Sequence, residues 1–133
     1  MIMAGTTYDP KDLTITVGGV YLTGFSEDMA EFEPDEDSWT TKVGAQGDVV
    51  RSKVNNPLAT LTITLLATSP QVSYLDGIAK SGKLVPISVI YNGQPKESIT
   101  ITEAFIKKPA TRTYGNEVED REYEIQCMDA EIN

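Results

Sequence analysis

Apolar and polar residues alternate along most of this chain, the two-residue period of a half-buried strand. Leu13, Ile15 and Val17 alternate with Thr14 and Thr16, and the pattern resumes at Val20 and Leu22 after Gly18-Gly19. A glycine pair supplies the positive φ that a two-residue hairpin turn needs. Ala30 and Phe32 alternate with Glu31 and Glu33, and Leu61, Ile63 and Leu65 with Thr60, Thr62 and Thr64. Ile87, Val89 and Tyr91 run up to an Asn92-Gly93 turn, and Ile99 and Ile101 alternate with Thr100 and Thr102. Tyr123, Ile125 and Cys127 alternate with Glu122, Glu124 and Gln126. Two further runs, Trp39 to Val43 and Val49 to Val54, flank Gly44-Ala45-Gln46-Gly47-Asp48. Strands with one apolar and one polar face predict a mostly β protein, an antiparallel barrel or sandwich of two packed sheets.

One segment changes period. Val72, Leu75, Ile78 and Ala79 are spaced by three to four, which predicts a single flanking helix over 70–81. Ser69 and Pro70 suit its start, Gly82 suits a left-handed C-terminal cap, and the helix is expected over an open end of the sheets. At Glu103 the alternation slips. Strict period would bury it beside Ile99 and Ile101, so either a bulge shifts the phase between 102 and 105 or that face leaves the core. Both outcomes suit a strand that meets another subunit, and an ordinary edge-strand bulge explains the slip equally well.

A length of 133 residues fits one domain with a real core. No apolar run approaches the ~20 residues that span a bilayer, so no membrane anchor is expected. The start MIMAGTTYDPKD has no basic region or long apolar stretch, which predicts no signal peptide. The balance of 11 basic to 20 acidic residues gives a net charge of −9, which argues against a generic nucleic-acid binder. Histidine is absent and cysteine occurs once, which removes the histidine-based triads and the usual zinc clusters.

The charge is uneven. Residues 27–37 carry seven acids and no base, and residues 117–131 carry seven acids and one base, Arg121. The stretch between holds nine bases and four acids. Acidic segments of this kind either solvate and blunt sheet edges or complement a basic surface on another copy. Asp35 and Asp37 fail as a calcium loop because Trp39 stands where a third oxygen ligand is needed. The glycines near 44–47 lack the Lys of a phosphate loop. Cys127 alternates with Ile125 as a core residue, and Lys107-Lys108-Pro109 reads as a solvated strand end. No cofactor and no enzymatic set is expected.

Three blocks in register extend the reading. Residues 37–56, DSWTTKVGAQGDVVRSKVNN, are followed by Ala59–Leu65 with Thr68-Ser69-Pro70, and then by Ala104–Pro109 leading to Gly115, Glu117-Val118 and Arg121-Glu122-Tyr123. In this order they resemble the tail tube proteins of contractile-tailed bacteriophages, over roughly residues 10–130. More distantly they are similar to type VI secretion and contractile bacteriocin tubes. Residues 1–9 match nothing in the family and are expected as an N-terminal arm of one domain spanning 1–133.

The resemblance implies a structural virion protein. Six copies would ring, and rings would stack into the hollow tube that conducts genomic DNA during ejection. Sheath, tape measure, baseplate hub and tail terminator would be its partners, with assembly in the host cytoplasm. A bacteriocin or secretion tube, or a non-tube β-sandwich adhesion module, stays open.

Within that frame the segment 43–57 is expected as a long hairpin loop that contacts the adjacent ring. Its candidate residues are Val43, Gly44, Gly47 and Asp48, then Arg51, Lys53, Asn55 and Asn56. Glu31 and Glu33 are the candidate lumen-facing acids, because a negative wall repels phosphate. Glu103, Lys107 and Lys108 are candidate inter-subunit residues.

Overall fold

The computed structural model describes residues 7–133. Among these residues a 3-10 turn at Pro10–Asp12 is followed by ten strands and one α-helix: β1 Leu13–Val17, β2 Val20–Tyr21, β3 Phe25–Pro34, β4 Trp39–Val43, β5 Val49–Lys53, β6 Ala59–Leu65, α1 Val72–Ser81, β7 Val85–Tyr91, β8 Glu97–Ile106, β9 Arg121–Cys127 and β10 Ala130–Ile132. All strand pairs are antiparallel. Gly18 and Gly19 have φ of 58° and 86°, as the turn between β1 and β2 requires.

Eight strands form one sheet in the order β2-β1-β7-β8-β9-β6-β3, with β10 joined to β8. The long β8 is the corner of this sheet. Its first part pairs with β7 and β10, and Ala104–Ile106 pair with β9. The two halves share one core, to which Ile15, Val17, Leu61, Ile63, Ile87, Ile101 and Ile125 contribute. The arrangement is a sandwich. The barrel alternative fails because β1 and β3 do not pair, and the sheet stays open between them.

The helix begins at Val72 rather than at residue 70. The Ser69 hydroxyl is committed to the Thr23 carbonyl at 2.6 Å, and the Gln71 side chain accepts from the Thr23 amide at 2.9 Å. These contacts hold Ser69–Gln71 as a turn that ties the helix start to the chain before β3. Gly82 ends the helix in the left-handed region at φ 67°, its N–H bonded to the Ile78 carbonyl.

Burial of Leu75, Asp76 and Ile78 fixes α1 against the sheet. Asp76 is the polar anchor of this contact. It accepts from the Tyr123 hydroxyl at 3.0 Å and the Ala110 N–H at 3.3 Å, and it pairs with Arg112. Tyr123 is the largest fully buried side chain, and burial pushes its phenol well above the usual range. Cys127 is equally enclosed, and burial pushes its thiol up to about 11, which makes it a small core residue rather than a nucleophile.

Replacing Asp76 with Ala would leave the Ala110 N–H without its acceptor where water is excluded, and the Tyr123 hydroxyl with the Val72 carbonyl at 3.2 Å alone. We expect a loss of about 1–3 kcal/mol in chemical denaturation. Arg112→Ala should cost less, since its partners keep Asp76 hydrogen-bonded and the guanidinium side is 41% exposed.

Candidate assembly surfaces

The segment expected as a loop at 43–57 holds the tip and second strand of a regular β-hairpin that begins at Trp39. Strands β4 and β5 pair in full register from Trp39↔Lys53 to Val43↔Val49. Gly44, Gly47 and Asp48 form its tip, closed by Gly44 N–H to Asp48 C=O at 2.7 Å. Asn55 and Asn56 belong to the return toward β6, where the Asn56 side chain accepts from the Leu58 amide. Pairing across the tip turns what reads as a flexible connector into a ribbon.

Both faces of this ribbon are in water. Val43, Val49 and Val50 are 65%, 64% and 59% exposed, and Trp39 is 46% exposed. Cross-strand partners share a face, so Trp39, Val43 and Val49 stand on the same side as Arg51 and Lys53. The Arg51 guanidinium lies 4.1 Å from the Trp39 ring centroid. One side of the ribbon is therefore apolar and cationic together.

The acids lie elsewhere. Register sets Glu31, Thr62 and Glu124 side by side across β3, β6 and β9, with Glu33, Thr60 and Gln126 in the next row. This is one wet face of the sheet, backed by Phe32, Leu61 and Ile125. Asp35 at its end accepts from Thr60 at 2.7 Å and Gln126 at 3.0 Å, which uses its carboxylate within the chain. Those hydrogen bonds hold the Asp35 carboxyl below its usual range.

Between β1 and β3 the sheet opens into a groove of about 870 Å³. Five steps along β3, from Phe25 to Ala30, match two along β6, so Ser26–Met29 bulge out of the ladder into it. Glu27, Asp28, Glu119 and Asp120 line it together with Glu31 and Thr62, so the groove runs onto the wet face, and the Asp120 carboxylate accepts from the Ser26 hydroxyl. An adjoining apolar hollow is lined by Leu13, Leu22, Phe25 and Met29. Of the expected N-terminal arm, residues 1–6 lie outside the described residues. Tyr8 packs its ring 5.3 Å from that of Tyr91.

Glu103 sits in the bulge that its broken phase predicts. One residue of β7, Pro86, opposes two of β8, Thr102 and Glu103, between the pairs Ile87↔Ile101 and Val85↔Ala104, and both Thr102 and Glu103 face water. Asp129 holds the bend by accepting from the Thr102 hydroxyl and from the Glu103 amide at 3.0 Å. Lys107 pairs with Glu124 of its own chain at 2.9 Å, and Lys108 is exposed. The structure does not bring Glu103, Lys107 and Lys108 together with the hairpin.

Two residues carry more than the linear reading gave them. Asp76 reads as a polar position on a helix, and its partners lie 34 to 47 positions away. Arg121 reads as a lone base in an acidic segment, yet it is 4% exposed, with its guanidinium donating to the Glu119 carbonyl and lying over Tyr114. The parity of Tyr123, Ile125 and Cys127 was the signal that placed it inward.

No protein-family model matches the chain, and no curated protein matches it by sequence. Solved structures do. A chain of the cryo-EM structure of the anti-feeding prophage cap, a tube-terminating cap, is similar to it with a TM-score of 0.68 at 11% identity, covering 100% of this chain and 95% of that one. A chain of the sheath/tube terminator of PVC, an extracellular contractile injection system, in its extended state has a TM-score of 0.70 at 8% identity, covering 98% and 99%. The chain thus shares, end to end, a fold found in tube-terminating assemblies of contractile injection systems.

The Asp129 clasp makes a pH prediction. Its hydrogen bonds from Thr102 and Glu103 hold the carboxyl below the usual range. A folded pKa under the unfolded value near 3.9 gives stability that is complete above about pH 5 and lost as pH falls through the folded pKa. Asp129→Asn should lower the thermal midpoint at pH 7 and flatten its decline between about pH 5 and pH 2. An unchanged acid profile would mean that the clasp does not hold the bend.

Proposed function

We propose that this protein is the tube subunit of a contractile tail or injection device. Six copies close a ring, and rings stack into a hollow tube that conducts DNA inside a contractile sheath. The observation that carries this reading is the β4–β5 ribbon. An isolated two-stranded ribbon is marginal in water, and this one leaves a Trp and three Val uncovered. Such a ribbon finds its buried face on another copy. The end-to-end fold likeness to chains of tube-terminating assemblies supports the same class, and so does the resemblance to contractile tail tube proteins in the three sequence blocks.

A second reading, a terminator that caps the tube as one ring, is favoured by the same structural neighbours. The two differ in growth. A tube subunit polymerises without limit through a head-to-tail contact, whereas a terminator ring stops. Electron microscopy of purified protein at rising concentration separates them. We expect six-fold rings and tubes of variable length, and rings that never lengthen would favour the terminator. A species that stays monomeric even with sheath and baseplate partners would overturn both.

The lumen is assigned to the wet face that bears Glu31 and Glu33. Repeated around a ring, these acids form a negative collar, and Thr60 and Thr62 beside them add no positive charge. Exposed glutamates on this face are fully hydrated, so their replacement by Lys should leave folding intact. The double Lys variant should form tubes that bind DNA in a salt-dependent manner, read by gel shift at increasing salt. Tubes of this variant that ignore DNA as the parent does would place these residues on the outer wall.

A further inference from the structure

The ribbon needs a seat, and its own chain does not offer one. It lies beyond Pro34, while the open groove flanks Phe25–Met29 at the other end of β3, roughly 20 Å away at ~3.3 Å per residue. We propose that the β4–β5 hairpin of one copy seats in the β1–β3 groove of the next. This inference rests on the stacked-tube function above and names the surface that joins one ring to another.

Four features match. The apolar side chains Trp39, Val43 and Val49 on one face of the ribbon meet the apolar hollow of Leu13, Leu22, Phe25 and Met29. Arg51 and Lys53 on that same face meet Glu27, Asp28 and Asp120 on the groove wall. The hairpin from Ser38 to Val54 carries Lys42, Arg51 and Lys53 against Asp48 alone, a net of +2, while the chain as a whole carries −9. The groove is also flanked by open strand edge: β3 pairs with β6 on one side only, and β2 covers Thr16 and Val17 of β1 but not Leu13 or Thr14. A ribbon laid there covers edge that is exposed in the single copy.

The geometry is head to tail. Each copy gives a ribbon at one end of β3 and receives one at the other, which is a heterologous contact that extends along an axis. Opposed charge at the seat sets register between copies and weakens with salt.

A charge swap in the full-length protein tests this. Arg51→Glu with Lys53→Glu should raise the concentration needed for tube growth ~10-fold or more, as two attractive pairs become repulsive. Glu27→Lys with Asp28→Lys should do the same from the other side. Mixing the two variants should restore tubes of alternating rings, because the swapped ribbon meets the swapped groove at one junction and the unaltered ribbon meets the unaltered groove at the next. All four changes in one chain should restore long tubes. Sedimentation velocity and microscopy read these outcomes, and circular dichroism checks that each variant is folded. Undiminished tubes from the Glu27/Asp28 variant, or no rescue in the four-fold variant, would overturn the seat while leaving the tube function standing. Absence of tubes from the unaltered protein would instead count against the function itself.

Discussion

The β4–β5 ribbon is held together by backbone pairing and little else. Strands β1, β6, β7 and β9 bury alternate side chains against a shared core, and the ribbon buries none. Two strands without a covered face have no hydrophobic term to offset the entropy of ordering them. In the proposed tube, cover for the ribbon comes from another copy. A groove with an apolar floor and acidic walls lies at the opposite end of the strand from which the ribbon springs.

The same logic explains the uneven charge. If a protein of net charge −9 is to polymerise as proposed, it must separate the charges that attract from those that repel. Three of the eleven bases, Lys42, Arg51 and Lys53, sit on the ribbon, Glu27, Asp28, Glu119 and Asp120 line the groove, and Glu33 and Glu124 stand on the wet face of β3, β6 and β9, with Glu31 common to groove and face. In the proposed tube the first two sets make a junction, and the third, repeated around a ring, keeps phosphate off a wall. Among the acids that serve neither purpose, Asp35, Asp76 and Asp129 are spent on hydrogen bonds that fix a sheet end, the helix and the β8 corner.

The core strands were legible because burial on one face leaves a strict two-residue signature. Leu61, Ile63 and Leu65 show it, and so do Tyr123, Ile125 and Cys127. The bulge at Glu103 was legible as a break in that signature. The clasp that holds it was not, because Asp129 lies 26 residues away and nothing local links the two. The ribbon misled in a different way. Val43, Val49 and Val50 read like any strand, since alternation reports what a strand can bury and not what stands opposite. The open seam between β1 and β3 was hidden for a related reason: whether a barrel closes depends on which edges meet, and edges leave no periodic mark. The helix start moved because Ser69 and Gln71 spend their side chains on Thr23 rather than on the helix.

The central claim is that the ribbon gains its cover from another copy on assembly. Hydrogen exchange read by mass spectrometry on the free subunit and on assembled tubes tests it most directly. In the free subunit the amides of Trp39–Lys53 should exchange fast, near the low-stability end of the molecule, while those of β6 and β9 stay protected. In tubes the ribbon and the Phe25–Glu31 edge should become protected together. Equal exchange of the ribbon in both states would contradict the account.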